Sequence, residues 1–152
     1  MKEFKVLMVD DEEDFVRTLD ERMQMRNVDT SVALSGEEAM KKLAEETPDV
    51  LLVDLKMPGM DGMEVLKRAR EAYPGVQVVM LTGHGSEADE AEARRLGVFE
   101  YLRKPVPLEQ LMRTLKGAYK KKIEESMVAA SFAEEGEFES ARQIMDQGKK
   151  KK

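Results

Sequence analysis

The 152 residues contain no cysteine, which excludes both a disulfide framework and a thiolate metal site. Long apolar runs are missing too. No stretch approaches the ~18 consecutive apolar residues that a bilayer span requires. The opening Met1-Lys2-Glu3-Phe4 brings in an acidic residue at once, unlike a signal peptide. An excess of positive charge is also lacking, and the net charge of −6 argues against a general nucleic-acid binder. These absences lead to the expectation of a soluble protein in a reducing cytoplasm. What is present suits a single core: apolar residues make up 41% and charged residues 37% of the chain. The length fits one domain with a small appendage.

From Phe4 to about Tyr119, strand-like and helix-like segments alternate. Short apolar runs stand near 4–9, 50–53 and 76–81, with weaker ones near 28–34 and 98–102. The three strongest are nearly continuous rather than alternating, as in strands covered on both faces. Between them, Phe15, Leu19 and Met23 recur at helical spacing, as do Ala39 and Leu43 after Ser35. Ser35-Gly36-Glu37-Glu38 reads as a capping box, in which the Ser35 hydroxyl and the Glu38 carboxylate satisfy two amides reciprocally. Leu66, Ala69 and Tyr73 form a further stripe that stops at Pro74-Gly75. Ser86 can cap a fourth helix closed by Leu96-Gly97, and Pro107 suits the first turn of a fifth. The fifth stripe is Leu108, Leu111, Met112, Leu115 and Tyr119. Five strand-then-helix units predict an open, doubly wound parallel sheet with helices on both faces. Ligands of such sheets gather outside the carboxyl ends of the strands.

Five polar residues stand where those apolar runs end: Asp10, Asp11, Asp54, Thr82 and Lys104. In parallel strands they converge at one sheet edge. Three carboxylates, a hydroxyl and an ammonium suit a divalent cation and a phosphoryl group. Two adjacent carboxylates repel unless a cation lies between them, and an oxygen-rich site favours a hard ion such as Mg2+. Asp54 closes a strand before a loop dense in turn formers, Lys56-Met57-Pro58-Gly59-Met60-Asp61-Gly62, where a carboxylate can act as a nucleophile. Asp61 is the better candidate for capping the next helix. Thr82 precedes Gly83-His84-Gly85-Ser86, whose glycines let backbone amides approach an anion. His84 is the only histidine, and a modifying role is the most it is assigned. Lys104 offers a compact point charge. Pro105 leaves both isomers of the bond before it open. Each residue alone has a bland reading as a cap, turn or surface group; their convergence is what carries the functional one.

This spaced pattern closely resembles the response-regulator receiver domain of two-component signalling. The resemblance covers roughly residues 4–119. It implies a flavodoxin-like (βα)5 fold with strand order 2-1-3-4-5, and a receiver domain over 1–119. It further implies that Asp54 accepts a phosphoryl group from a sensor histidine kinase or a histidine phosphotransfer protein. Asp11, Asp54 and the backbone carbonyl of Lys56 would hold Mg2+, with Asp10 assisting through water. Lys104 would contact the phosphoryl group, Thr82 would swing toward it, and Tyr101 would turn inward into the space released. Lys56 and His84 occupy positions that tune hydrolysis in the family, and Val106 stands where an aromatic residue often follows Lys-Pro.

After Tyr119 no strand pattern recurs. Residues 120–152 are expected to form a helical hairpin, or a long continuation of the fifth helix with a short returning one. Ile123, Met127 and Ala130 share one face; Glu134-Glu135-Gly136-Glu137 reads as a turn; Phe138, Ala141 and Met145 make a second stripe before a frayed, lysine-rich end. Ala129, Phe132, Ala141 and Met145 also fit one tetratricopeptide-like helix pair, a unit that normally needs ~3 repeats to be stable. The tail is too short for a winged-helix DNA-binding effector. The expected protein is therefore a stand-alone switch, without catalytic turnover beyond its own phosphorylation and dephosphorylation. Its output surface would be the fourth helix, fifth strand and fifth helix, acting on a downstream protein or on a second copy. Two rivals stand beside it. A haloacid-dehalogenase-like phosphatase would need Asp-x-Asp after the first strand, where Asp10-Asp11-Glu12 stands instead. A constitutive scaffold acting through the helical tail would leave the acceptor constellation without a role.

Overall fold

The computed structural model describes residues 2–134. Five strands and five helices alternate: β1 (Lys5–Val9), α1 (Glu13–Gln24), β2 (Asp29–Ala33), α2 (Gly36–Glu45), β3 (Val50–Val53), α3 (Gly62–Ala72), β4 (Gln77–Thr82), α4 (Glu87–Arg95), β5 (Glu100–Arg103) and α5 (Leu108–Glu134). All strand pairs are parallel, in the order β2-β1-β3-β4-β5. This is the expected doubly wound, flavodoxin-like architecture.

The near-continuous apolar runs are split by the strand period of two. Leu7, Val9, Leu51, Val53, Val78 and Met80 point into one buried layer with Leu43, Val65, Leu66 and Ala69. Val6, Met8, Val50, Leu52, Val79 and Leu81 point into the opposite layer with Val16, Met23, Leu111 and Leu115. The central strands β1, β3 and β4 are therefore dry on both faces, with their polar groups at the strand ends.

Helix starts follow their caps. Ser35 Oγ accepts from the Glu38 amide, Asp61 Oδ1 from the Glu64 amide, and Ser86 Oγ from the Asp89 amide. The reciprocal box expected at Ser35 is only half made, because Glu38 Oε1 accepts from the Leu34 amide instead. The full box occurs at α4, where Asp89 Oδ2 accepts from the Ser86 amide. The α1 stripe is rotated from expectation. Val16 and Met23 are buried, whereas Phe15 remains 38% exposed at the rim of the functional edge. Helix α5 runs unbroken past Tyr119, which stacks on Phe4 at 4.9 Å, to Glu134. The described residues thus show the fifth helix continuing into the extension. The expected turn near Gly136 and the stripe Phe138, Ala141 and Met145 lie outside the described residues.

Candidate functional site

The ladder of the sheet extends one hydrogen bond beyond three of its strands. The Asp10 amide donates to Ala33 O, the Asp54 amide to Val9 O and the Lys104 amide to Thr82 O, at 3.1, 2.9 and 2.9 Å. These bonds hold Asp10, Asp54 and Lys104 in strand register just beyond the dry core, so their side chains gather at one edge. Gly62, at the start of α3, permits this arrangement: a Cβ there would collide with the Asp54 carbonyl.

Lys104 Nζ lies 2.9 Å from Asp10 Oδ2, 3.0 Å from Glu12 Oε1 and 3.9 Å from Asp54 Oδ2. Its ammonium also sits over the Phe15 ring, 4.2 Å from the centroid. The second Asp10 oxygen accepts from the Glu12 amide at 2.9 Å. Asp54 is 5% exposed, yet its Oδ1 has no hydrogen-bond partner among the described residues. Carboxylate oxygens of Asp10, Glu12 and Asp54 all lie within 4.8 Å of one another. One ammonium cannot neutralise three carboxylates, so the cluster carries an excess of negative charge. An oxygen-only set with an orphaned buried carboxylate oxygen fits a hard divalent cation.

The charge balance appears in the titration of its members. Burial pushes the Asp10 carboxyl above the usual range, partly opposed by the Glu12 amide and by Lys104. The bond to Lys104 holds the Glu12 carboxyl below its ordinary value. Burial pulls the Lys104 ammonium down, but its bonds to Asp10 and Glu12 outweigh this and leave its pKa raised.

Asp11 is exposed and lies outside the close group. It lines a shallow cleft of about 380 Å³ with Glu12, Asp54, Lys56 and His84. Lys56 and His84 thus lie in the same cleft as Asp54. Thr82 is fully buried, and its Oγ1 accepts from the His84 amide at 3.1 Å. Tyr101 lies inward, with its hydroxyl buried and unpartnered among the described residues. A Cβ on Gly85 would collide with that hydroxyl, so this glycine makes room for the ring. Arg103 covers the other side of the Tyr101 ring, 5.3 Å from the centroid, and ties Gly85 O to Glu90. The Lys104–Pro105 peptide is cis.

Three contributors escaped the sequence reading. Glu12, which shares Lys104 with Asp10, stood in the acidic run 10–14 and was visible only as a loop residue. Phe15 was assigned to a core stripe, although it covers Lys104. Gly85 read as a phosphate-loop glycine, whereas its contact is with Tyr101. No local signal distinguishes these roles, because each depends on a neighbour many residues away.

The response regulator receiver domain model matches residues 6–116. Among solved structures, a CheY-like receiver domain protein from Methanospirillum hungatei is 26% identical, with a TM-score of 0.77, over 80% of this chain and 97% of that one. A receiver domain protein from Clostridium thermocellum is 32% identical, with a TM-score of 0.74, over 78% of this chain and 95% of that one. The receiver domain of the Francisella response regulator 1452 is 28% identical, with a TM-score of 0.73, over 78% and 98% respectively.

Proposed function

Since this chain belongs to the response regulator receiver family of two-component signalling, we propose that Asp54 is its phosphoryl acceptor and that phosphorylation switches a protein-binding surface. The observation that carries this reading is the buried, unpartnered Asp54 Oδ1 inside a group of three carboxylates answered by Lys104 alone. A carboxylate desolvated in this way is exposed to an electrophile on one side only, the mouth of the cleft.

In the proposed reaction an Asp54 oxygen bonds to phosphorus while the bond from phosphorus to the donor nitrogen breaks. The electron pair returns to the donor imidazole of a histidine kinase or phosphotransfer protein. Charge accumulates on the equatorial oxygens, and Lys104 can follow them by exchanging its bond to Asp10 or Glu12 for one to the phosphoryl group. Asp10, Asp11, Asp54 and the Lys56 carbonyl would hold Mg2+, which supplies electrostatic stabilisation to the transferring group. Lys56 and His84 at the cleft mouth govern water access and hence the lifetime of the acyl phosphate.

Thr82 supplies the switch. Its hydroxyl has one acceptor contact, to the His84 amide, and is free to donate to a phosphoryl oxygen. That bond would draw on the 82–86 loop, beneath which the orphaned Tyr101 hydroxyl is packed. Through Arg103 the change reaches Glu90 on α4, so the α4-β5-α5 surface reports the state of Asp54 to a downstream protein.

Intact mass after incubation with Mg2+ and a small phosphodonor tests the reading. One phosphoryl group should be gained by the native chain and none by Asp54→Asn. Gain at another residue in Asp54→Asn, or gain independent of Mg2+, would overturn it.

A further inference from the structure

The reaction proposed above leaves one member of the carboxylate cluster without a task. Glu12 belongs to the group with Asp10 and Asp54. Its side chain is 60% exposed, however, against 6% for Asp10 and 5% for Asp54. It stands at the N-cap of α1 but caps nothing, since its carboxylate accepts from no amide of that helix. The carboxylate turns instead to Lys104 Nζ at 3.0 Å, while the Glu12 amide donates to Asp10 Oδ1 at 2.9 Å. The backbone is thus anchored to the cluster, and the side chain is committed to the lysine.

An ammonium has three N–H donors. At Lys104 one goes to Asp10 Oδ2 and one to Glu12 Oε1. The third is left to the Phe15 ring and to Asp54 Oδ2, which at 3.9 Å is beyond hydrogen-bond reach. The cleft that opens onto Asp54 is walled by Asp11, Glu12, Lys56 and His84. On that side the Glu12 carboxylate screens the ammonium, and its charge repels an arriving phosphoryl group. A phosphoryl oxygen can take the lysine most easily from the acceptor that gives way most easily. Asp10 is not that acceptor: its pair with Lys104 is buried, and breaking it leaves a charge in a dry site. Glu12, once released, returns to water.

We propose that Glu12 is a positioning residue that holds, in the resting protein, the place on Lys104 which a phosphoryl oxygen takes over. Phosphorylation of Asp54 then releases the Glu12 carboxylate into the solvent. A donor must displace Glu12 before Lys104 can serve the transfer, so Glu12 slows transfer from weak donors. The inference rests on the reading of Asp54 as the acceptor.

Carbon NMR of the full chain, labelled at its glutamate carboxyl carbons, follows the exchange. The Glu12 signal is assigned by its loss in Glu12→Ala. In the resting protein it is expected away from exposed glutamates such as Glu71, and Mg2+ alone should not move it. Once Mg2+ and a small phosphodonor have added one phosphoryl group, it should join the exposed ones. Because Glu12 caps nothing, Glu12→Ala should fold as the native chain does. It should be phosphorylated up to about fivefold faster at limiting phosphodonor, the worth of an exposed ion pair. Glu13→Ala removes the same charge one residue on, from a side chain that pairs with Arg17, and should leave the rate near the native value. A phosphorylated protein whose Glu12 signal has not moved would overturn the proposal while leaving Asp54 as acceptor. So would a signal displaced by Mg2+ alone, or equal acceleration in the two alanine variants. No gain of mass would overturn the acceptor reading itself, and this inference with it.

Discussion

The two edges of one sheet carry similar residues and treat them in opposite ways. At the N-terminal edge Asp49 is fully answered: one oxygen accepts from the Lys5 amide at 2.8 Å and the other from Lys122 at 2.6 Å. Buried Gln77 at the same edge finds Glu125. At the C-terminal edge three carboxylates share one lysine, and among the described residues one Asp54 oxygen and the Tyr101 hydroxyl have no partner. Buried polar groups are ordinarily paired, because an unmet one costs about 1–3 kcal/mol. The lower edge obeys that rule and is structural. The upper edge breaks it, which suits the cation and the phosphoryl group proposed for it.

Exchanging the lysines is the most severe test of this contrast. Lys104→Met should leave three carboxylates unanswered and cost about 3 kcal/mol in chelator, with Mg2+ recovering much of the loss. Lys122→Met should cost less, and Mg2+ should recover none of it. Chemical denaturation of both variants with and without Mg2+ makes the comparison. Equal Mg2+ responses at the two edges would end it.

A carboxylate removed from each edge should change stability with opposite sign. Asp49→Ala strands the Lys5 amide and should cost about 2 kcal/mol. Asp10→Asn removes a buried charge whose carboxyl is already pushed above its ordinary value, and should stabilise the protein by about 1 kcal/mol at neutral pH. The sign follows from linkage. A carboxyl raised in the folded state contributes stability below the unfolded value of 3.8, and this is lost as pH rises through the folded value. The advantage of Asp10→Asn should therefore grow as pH rises from the acid side toward neutrality, measured as the difference in melting temperature between variant and parent. An advantage that shrinks over that range would contradict the assignment.

The smallest effect is expected at Tyr101. Tyr101→Phe deletes a hydroxyl with no partner and should be neutral or stabilising by up to about 1 kcal/mol, whereas Glu125→Ala, which orphans Gln77, should cost about 1 kcal/mol. Thermal unfolding of the pair decides whether the two edges differ even at single neutral groups.

Much of this molecule can be read from its chain. Runs such as Val50-Leu51-Leu52-Val53 are too apolar for an edge strand and too short for a helix, so a doubly covered parallel strand is the economical solution. Asp10, Asp54, Thr82 and Lys104 then fall at the same edge, since each follows or ends a run of that kind. The α1 face was less legible. Phe15, Leu19 and Met23 and the pair Val16 and Met23 both satisfy helical spacing, and only packing against the sheet chose the second, releasing Phe15 to cover Lys104. Glu38 likewise had two backbone amides within reach and bonded the earlier one.

By itself, then, the amino-acid order determined the alternation of strands and helices, the parallel sheet and the edge at which the polar residues collect. These follow from local periodicity and the position of each residue in its run. Tertiary structure alone decided that Glu12 shares Lys104 with Asp10 while Asp11 faces the cleft, that Tyr101 lies inward beside Gly85, and that α5 is pinned through Lys122 and Glu125. Those outcomes depend on which of several equally reachable partners wins, and that competition is settled by distances between segments far apart in the chain.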